Sequence, residues 1–494
     1  MKLNQLIEHL HIPMQPTYSD IDITSIEQNH QMVKEGSLFI CIKGQRFDGH
    51  DVAEEVVERG ARALVAEKPL DVSVPVIVVK DTRRAMAVLG DAFYEQPTKK
   101  VQVIGITGTN GKTSTSHFVE AIMRHCGKQT GLIGTMYRKV GDTVLPTKNT
   151  TPDSLSLQQT FHEMKENHID VCAMEVSSHA LKEGRVYGVD FDVAVFTNLT
   201  QDHLDYHGTM EEYRFTKGLL FAQLGNTYDS HRPKYALFNQ DESATDYLKT
   251  MTAAFIYTYG IDQNADFMAR DIETNSDGTH FLFVTPFGER KVHIPLVGKF
   301  SVYNVLAAAA SCLLSGAEFE KVCDAVAKLE GVPGRFELVK GTQNFSIIVD
   351  YAHTPDSLEN VLETVQQFKQ GKVWVIVGCG GDRDKTKRPI MAKIACDKSD
   401  QAIFTSDNPR SEDPFAILSD MEAGVEGYSN YQVIEDRAKA ITHAIEQAKE
   451  NDVVLIAGKG HETYQIVGET VHDFDDRIVA IQAVESVIKK KLNE

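Results

Sequence analysis

Apolar residues in this chain fall in short unbroken runs separated by stretches with helical spacing. The first runs are 37–42 and 74–79. A helical pattern ending in Val56-Val57-Glu58-Arg59-Gly60 lies between them, and another spans 81–94, where Asp81-Thr82 suits a helix start. Runs at 101–107, 171–176 and 191–199 follow, then runs at 347–351, 373–377, 402–405 and 453–457 with helical patterns over 357–368 and 437–449. Such alternation predicts an α/β protein whose parallel sheets are covered by helices on both faces, with ligands at the carboxyl ends of the strands. Segments 279–284 and 291–296 differ: they alternate apolar and polar residues around Pro286-Phe287-Gly288, which predicts an antiparallel hairpin.

The pattern divides into three blocks, 1–98, 99–332 and 333–494, and about 150 residues per domain makes three domains the expectation for 494 residues. Gln96-Pro97-Thr98-Lys99-Lys100 reads as the first joint, where proline stops a helix and polar residues solvate the chain; Gly331-Val332-Pro333-Gly334 reads as the second. The expected fold class is a small N-terminal α/β domain, a central P-loop ATPase-like parallel sheet with flanking helices, and a C-terminal Rossmann-like α/β domain.

Charge sharpens the picture more than composition does. Lys and Arg total 51 against 70 Asp and Glu, a formal net charge of −19. That excess disfavours general binding to nucleic acids or membrane surfaces, both polyanions, but leaves room for a small anion held by a local cationic cluster. The seven cysteines are scattered without a CxxC pair and read as reduced core thiols. The start of the chain is polar, and no stretch approaches the ~18 apolar residues of a membrane span. A cytoplasmic chain is the expectation.

The most informative segment is Gly105-Ile106-Thr107-Gly108-Thr109-Asn110-Gly111-Lys112-Thr113-Ser114, an apolar strand entering a glycine-rich turn before a helix bearing Phe118, Val119, Ile122 and Met123. Glycines admit backbone N–H groups to phosphate oxygens, and a helix N-terminus adds a favourable dipole. Lys112 would serve the β- and γ-phosphates and Thr113 a Mg²⁺ ion. The segment is not a strict Walker A motif, because Ile106 stands where that pattern has glycine. Two later strands end in Glu175-Val176-Ser177-Ser178-His179 and Asn198-Leu199-Thr200-Gln201-Asp202-His203-Leu204-Asp205. In a parallel sheet those ends share an edge with the phosphate loop, so Glu175 and His203 can coordinate a magnesium ion that bridges nucleotide phosphates. Glu211 to Leu220 reads as an amphipathic helix, and spacing alone makes its Lys217 a snorkelling surface residue.

These motifs resemble the central-domain motifs of the Mur ligases, and Val302-Tyr303-Asn304, Gly334-Arg335-Phe336-Glu337 and Asp350-Tyr351-Ala352-His353 match as well. The resemblance spans essentially the whole chain in motif order. Asp407-Asn408-Pro409-Arg410, with Gly380-Gly381-Asp382-Arg383-Asp384 before it and Gly458-Lys459-Gly460-His461-Glu462 after it, most resembles the branch that joins meso-diaminopimelate to UDP-N-acetylmuramoyl-L-alanyl-D-glutamate.

The resemblance implies that ATP phosphorylates the γ-carboxylate of the D-glutamyl residue and that the amino acid's amine attacks the acyl phosphate. It assigns ATP to Gly108, Thr109, Asn110, Gly111, Lys112, Thr113 and Ser114, together with Asn304, Arg335, Asp350 and His353. It assigns Mg²⁺ to Thr113, Glu175, His203 and Lys217, the last carrying a carbamate formed from CO₂; Lys112, Lys217, His203 and Glu175 are the catalytic set. The UDP-sugar dipeptide falls to Ser25, Asn29, His30, Asn149, Thr150, Thr151, Ser177, Glu183 and Arg185. The amino acid falls to Arg383, Asp407, Asn408, Arg410, Gly458 and Glu462; an arginine closing Asp-Asn-Pro-Arg suits the second amino-acid centre of diaminopimelate, which lysine lacks. One departure stands out: Gln28-Asn29-His30-Gln31 occupies the place where the family has Asp-Ser-Arg, so uridine binding is expected with altered detail. A monomer is expected, with no nucleic-acid or membrane partner.

Other readings fit less of the chain. An L-lysine-adding sister ligase differs only in the amino-acid pocket, and folylpolyglutamate synthase shares a similar central domain. A regulatory P-loop ATPase leaves Arg410 and Glu462 unexplained. A dinucleotide oxidoreductase argued from Gly378-Cys379-Gly380-Gly381 lacks the GxGxxG spacing.

Overall fold

In the computed structural model, which describes residues 1–12, 18, 20–44, 47–226, 229–275, 278–339 and 341–493, the apolar runs become strands and most of the stretches between them become helices. Among the described residues a four-stranded parallel sheet comes first, in the order Ser25–Glu27, Ser37–Ile40, Ala61–Ala66, Val76–Val78. The helix Thr82–Phe93 packs beside it, and the Asp81 carboxylate caps that helix by accepting from the Arg84 N–H.

The central sheet has eleven strands among the described residues. The phosphate-loop strand Gln102–Thr107 lies between Val171–Glu175 and Val193–Phe196, parallel to both. Register pairs Thr107 with Phe196 and Ile106 with Glu175, so the three carboxyl ends emerge side by side. Helices Lys112–His125 and Lys299–Leu314 bury Phe118, Val119, Ile122 and Met123 against Val302, Val305 and Leu306 on one face. The predicted hairpin is present, with Gly278–Thr285 antiparallel to Gly288–Ile294, and Phe267–Asn275 adds a further antiparallel partner.

The third sheet runs Glu337–Leu338, Ser346–Asp350, Val453–Ala457, Val373–Val377, Gln401–Phe404, Tyr431–Val433, parallel apart from its first strand. Its carboxyl ends lead into Tyr351-Ala352-His353, the Gly458 loop, the Gly380 loop and the Asp407 loop. Thr354 and Ser357 form a reciprocal capping box at the start of Pro355–Phe368.

Two local expectations change. The first joint is not a solvated linker: Pro97 and Thr98 are buried in a 3₁₀ turn, Arg232 donates to the Thr98 carbonyl at 2.8 Å, and Asp190 N donates to Thr98 Oγ1 at 3.1 Å. Lys217 is not on the surface but is 1% exposed. Among the described cysteines all are free and all but Cys126 are buried. No helix among the described residues is long and apolar enough to cross a membrane.

Candidate active site

The carboxyl ends of the central and third sheets face each other across one cavity of about 790 Å³. On the central side the phosphate loop is shaped by two glycines. Gly108 has φ +153°, and a Cβ there would meet Thr197 Oγ1 at 1.8 Å; Gly111 has φ +84°, and a Cβ there would meet Asn304 Oδ1 at 2.4 Å. Only glycine fits such close approaches. Lys112 Nζ donates to the carbonyls of Gly108 at 2.8 Å and Thr109 at 2.7 Å, so the lysine is curled over its own loop. Burial lowers the Lys112 pKa, against the opposing pull of Glu175 and Asp202. Ile106, in the place of the Walker glycine, is a fully buried strand residue.

Thr113 Oγ1 donates to Glu175 Oε2 at 3.0 Å and accepts from Arg335 Nη2 at 3.1 Å, so a side chain from the third block completes the loop. Glu175 also accepts from Thr135 N at 2.8 Å and Thr135 Oγ1 at 3.0 Å. Asp202 lies 3.3 Å from His203 Nε2, 3.9 Å from His353 Nε2 and 3.9 Å from Lys387 Nζ. Burial pushes His203 down to about 3 and His353 to about 4, which leaves both imidazoles neutral, while Asp202 stays ionised among these groups despite its own burial.

Lys217 belongs to Met210–Ala222, a helix capped by Thr209. Its Nζ lies 4.2 Å over the Tyr213 ring and has no hydrogen bond or ion pair among the described residues. Burial, then the Lys112 charge, drives its pKa well below 10.5, with Asp202 opposing. Burial without a carboxylate partner disfavours the charged form of this amine.

At the third-block end, Asn408 Nδ2 donates to Glu462 Oε2 at 2.9 Å, and Lys459 Nζ donates to the same carboxylate oxygen at 2.9 Å and to Asn408 Oδ1 at 3.2 Å. Arg410 sits at φ +52° and donates to the Gly381 carbonyl at 2.9 Å. Arg383, Asp407 and Gly458 line the same end. Asp350 accepts from the Phe336 N–H at 2.6 Å, and burial raises its pKa to about 6. Arg335 lies 4.3 Å over the Tyr351 ring.

Most of the residues singled out from the sequence line this cavity, including Ser114, Asn149, Thr150, Ser177, Arg185 and Asn304. Thr151 and Glu183 stand just behind the wall. Thr151 Oγ1 donates to the Glu175 carbonyl at 2.9 Å, and Glu183 pairs with Arg185 at 2.9 Å. Ser25, Asn29 and His30 do not line it. They belong to the first sheet and its following turn, where Ser25 Oγ lies 2.9 Å from Ser37 Oγ, Asn29 caps the turn, and His30 stacks on Phe47 at 5.2 Å. Sequence reasoning missed Lys387 and Lys459, both buried; Lys459 stands inside the Gly458–Glu462 motif, while Lys387 lies three residues beyond the motif that ends at Asp384. It also missed Glu242, a cavity carboxyl that burial raises to about 7. Among the described residues no three His, Cys, Asp or Glu side chains converge as a self-sufficient metal cage.

A glycine phosphate loop with a carboxylate and an imidazole at adjacent strand ends, facing a pocket that bears Arg383 and Arg410, is the arrangement of a site for a phosphate-bearing ligand and a second anionic or zwitterionic one. The sequence matches the Mur ligase middle domain over residues 106–312, the Mur ligase glutamate ligase domain over 334–460, and the Mur ligase family catalytic domain over 22–94. It is 58% identical over 491 residues to the UDP-N-acetylmuramoyl-L-alanyl-D-glutamate--2,6-diaminopimelate ligase of Bacillus velezensis, covering 99% of this chain and 100% of that protein. The ligase of the same name from Bacillus cereus is 59% identical over 485 residues, 98% of each chain. A solved structure of a ligase so named superposes with a TM-score of 0.70 at 32% identity, covering 97% of this chain and 98% of the other. The chain belongs to the Mur ligase family.

Proposed function

We propose that this chain is the ATP-dependent ligase that adds meso-2,6-diaminopimelate to the D-glutamyl γ-carboxylate of UDP-N-acetylmuramoyl-L-alanyl-D-glutamate, in cytoplasmic synthesis of a peptidoglycan precursor. One observation carries the reading: a single cavity joins a phosphate loop to a pocket bearing Arg383, Arg410 and Glu462. The names of the full-length relatives support the same substrates. Residues 1–98 are the UDP-binding domain, 99–332 the ATP-binding domain and 333–494 the amino-acid domain.

The chemistry follows from the charges. ATP is anionic and so is the carboxylate it must phosphorylate, so their approach needs cations and oriented N–H groups. Lys112 leaves its loop carbonyls for the phosphates, and the N-terminus of Lys112–His125 faces the same space. Arg335 and Asn304 approach the loop from outside it; with Asp350 and His353 they hold the nucleotide. Arg185, aligned by Glu183 and by the Thr151 carbonyl at 3.0 Å, holds the muramoyl dipeptide with Ser177, Asn149 and Thr150. Ser25, with Asn29 or His30, holds the uridine. Once the γ-carboxylate has become an acyl phosphate, Glu462 and Asn408 hold an ammonium of the amino acid and Arg383 and Arg410 its carboxylates. The free amine attacks, and the tetrahedral intermediate expels phosphate. Placing the two reactants on opposite sheets lets domain closure control their meeting.

Mg²⁺ fits the donors present. Thr113 Oγ1, Glu175 and a neutral His203 would hold it, and a site with few protein ligands leaves coordination positions for phosphate and water. Bound there, it neutralises phosphate charge. The buried amine of Lys217, whose charged form burial disfavours, fits carbamate formation with CO₂, which would exchange a cation for an oxygen donor.

The deciding test is phosphate release from ATP with the UDP-muramoyl dipeptide, comparing meso-diaminopimelate with L-lysine. Release is expected to depend on the amino acid and to favour diaminopimelate. Equal or greater activity with lysine would overturn the specificity, and release indifferent to any amino acid would overturn the ligase reading.

A further inference from the structure

Arg383 and Arg410 come from two separate loops, and their spacing depends on what ties those loops together. The loops approach at backbone level: Gly381 N donates to the Asn408 carbonyl at 2.9 Å, and a Cβ on Gly381 would lie 1.9 Å from the Pro409 carbonyl oxygen. Each loop holds a non-glycine residue in the left-handed region, Asp382 at φ +54° and Arg410 at φ +52°. Such conformations persist only where neighbours over-determine them. At Arg410 the backbone N–H is held by the Ile466 carbonyl at 3.1 Å; at Asp382 a carboxylate behind the cavity wall does the holding. Glu412 Oε1 accepts from the Asp382 N–H at 2.6 Å and from Arg388 Nη2 at 2.9 Å; its Oε2 accepts from Arg388 Nη1 at 3.1 Å and pairs with Lys385 at 2.9 Å.

Arg388 is fully buried at the start of the helix Lys387–Lys398. Its guanidinium faces Glu412 bidentately, reaches Asp420 at 2.8 Å and donates to the Gly380 carbonyl at 3.3 Å. One end of the pair therefore holds the Gly380 loop, and the other belongs to the Arg410 loop. Fork-to-carboxylate geometry fixes orientation as well as distance, which a lysine in place of Arg388 could not reproduce.

We propose that the Arg388–Glu412 pair is a clamp that sets the spacing of Arg383 and Arg410, and so determines selection of an amino acid with a second carboxylate-bearing centre. Neither residue lines the cavity, so both are positioning residues. The inference rests on the amino-acid pocket proposed above. Arg388 supplies the Glu412 hydrogen bonds that hold its carboxyl ionised, down to about 2.

The test is steady-state kinetics of the full chain carrying Glu412→Gln, Glu412→Asp or Arg388→Lys, with thermal melts alongside. Glu412→Gln is expected to raise the KM for diaminopimelate about tenfold while the KM for ATP moves less than about twofold, the split of a lost positioning contact. The preference for diaminopimelate over L-lysine should fall in the same variant, and Glu412→Asp should recover part of it. A merely structural role would weaken all three substrates together, and that result overturns the clamp. So does an unchanged diaminopimelate KM in both Glu412→Gln and Arg388→Lys. If Glu412→Gln fails to fold, the two charge-retaining variants report the same split. Wild type run in parallel separates the claims: no diaminopimelate-dependent turnover there fails the pocket assignment, whereas wild-type turnover with unsplit constants in the variants fails the clamp.

Discussion

The two ends of the cavity treat a buried lysine in opposite ways. At the central-sheet end Lys217 is 1% exposed, with an aromatic face as its nearest cation partner and no hydrogen bond or ion pair among the described residues. At the third-sheet end Lys459 is 0% exposed, yet its ammonium meets Glu462 at 2.9 Å and Asn408 at 3.2 Å. Removing an ammonium from water costs several kcal/mol, and only a well-placed partner offsets that cost. Lys459 has the partner and fixes the geometry of Glu462. Lys217 lacks it, so burial drives it towards the neutral amine. One end of the cavity compensates its buried lysine with a carboxylate and an amide; among the described residues the other leaves its buried lysine against an aromatic ring alone.

Methionine at each position separates the two roles most sharply. Lys217→Met should abolish amide formation, a loss of about a thousandfold or more, because the carbamate proposed at this nitrogen could no longer form. The same change should stabilise the fold by about 1 kcal/mol, since it removes an uncompensated polar group. Lys459→Met should do the reverse to stability, costing about 2 kcal/mol by leaving Glu462 and Asn408 without their cation. Amide-formation assays and denaturant melts on both variants check the pair. A Lys217→Met chain that melts earlier than wild type would erase the contrast, because it would show the amine to be compensated after all.

Arg410→Ala tests the third-sheet end alone. Loss of a carboxylate-binding guanidinium should raise the diaminopimelate KM about thirtyfold, with ATP binding nearly unchanged. Parallel losses in ATP and diaminopimelate would place Arg410 in a shared support instead of a substrate pocket.

How these ends assemble was only partly legible in the chain. Alternating apolar runs and helical stretches imply parallel sheets, and parallel sheets put Gly108, Glu175 and Asn198 on one edge; that inference needs only local periodicity. Lys217 resisted it because its helix pattern records an apolar face beside a lysine but not what packs against the lysine from elsewhere. Spacing alone left it on the surface, and only the resemblance to the Mur ligases drew attention to it. Thr98 failed for the same reason: a polar joint reads as solvated until Arg232, 134 residues away, buries it. Lys387 likewise becomes a site residue only when the third block brings it within 3.9 Å of Asp202. Local pattern reports which faces are apolar, while the pairing of buried polar groups is set by contacts between distant segments.

The smallest expected effect concerns acid, and it asks how dry the third-sheet end is. Burial pushes His461 down to about 3 and His353 to about 4, below the ordinary value of 6.5. The sign follows from proton counts: between 6.5 and those lower values the unfolded chain binds more protons than the folded one. The histidines' contribution is therefore complete above about pH 6.5 and is lost as pH falls toward 4. Asp350 works the other way, since its pKa is raised from 3.8 to about 6 and its contribution is lost as pH rises through that interval. Two histidines against one carboxyl leave a net loss of stability on acidification at this end. His461→Gln should flatten the dependence of unfolding free energy between pH 6.5 and 5 by at most about 1.4 kcal/mol per pH unit, one proton's worth. Denaturant melts across that range measure the slope directly. An unchanged slope would mean that water reaches the His461 ring freely, and the third-sheet end would then be less enclosed than the central end where Lys217 lies.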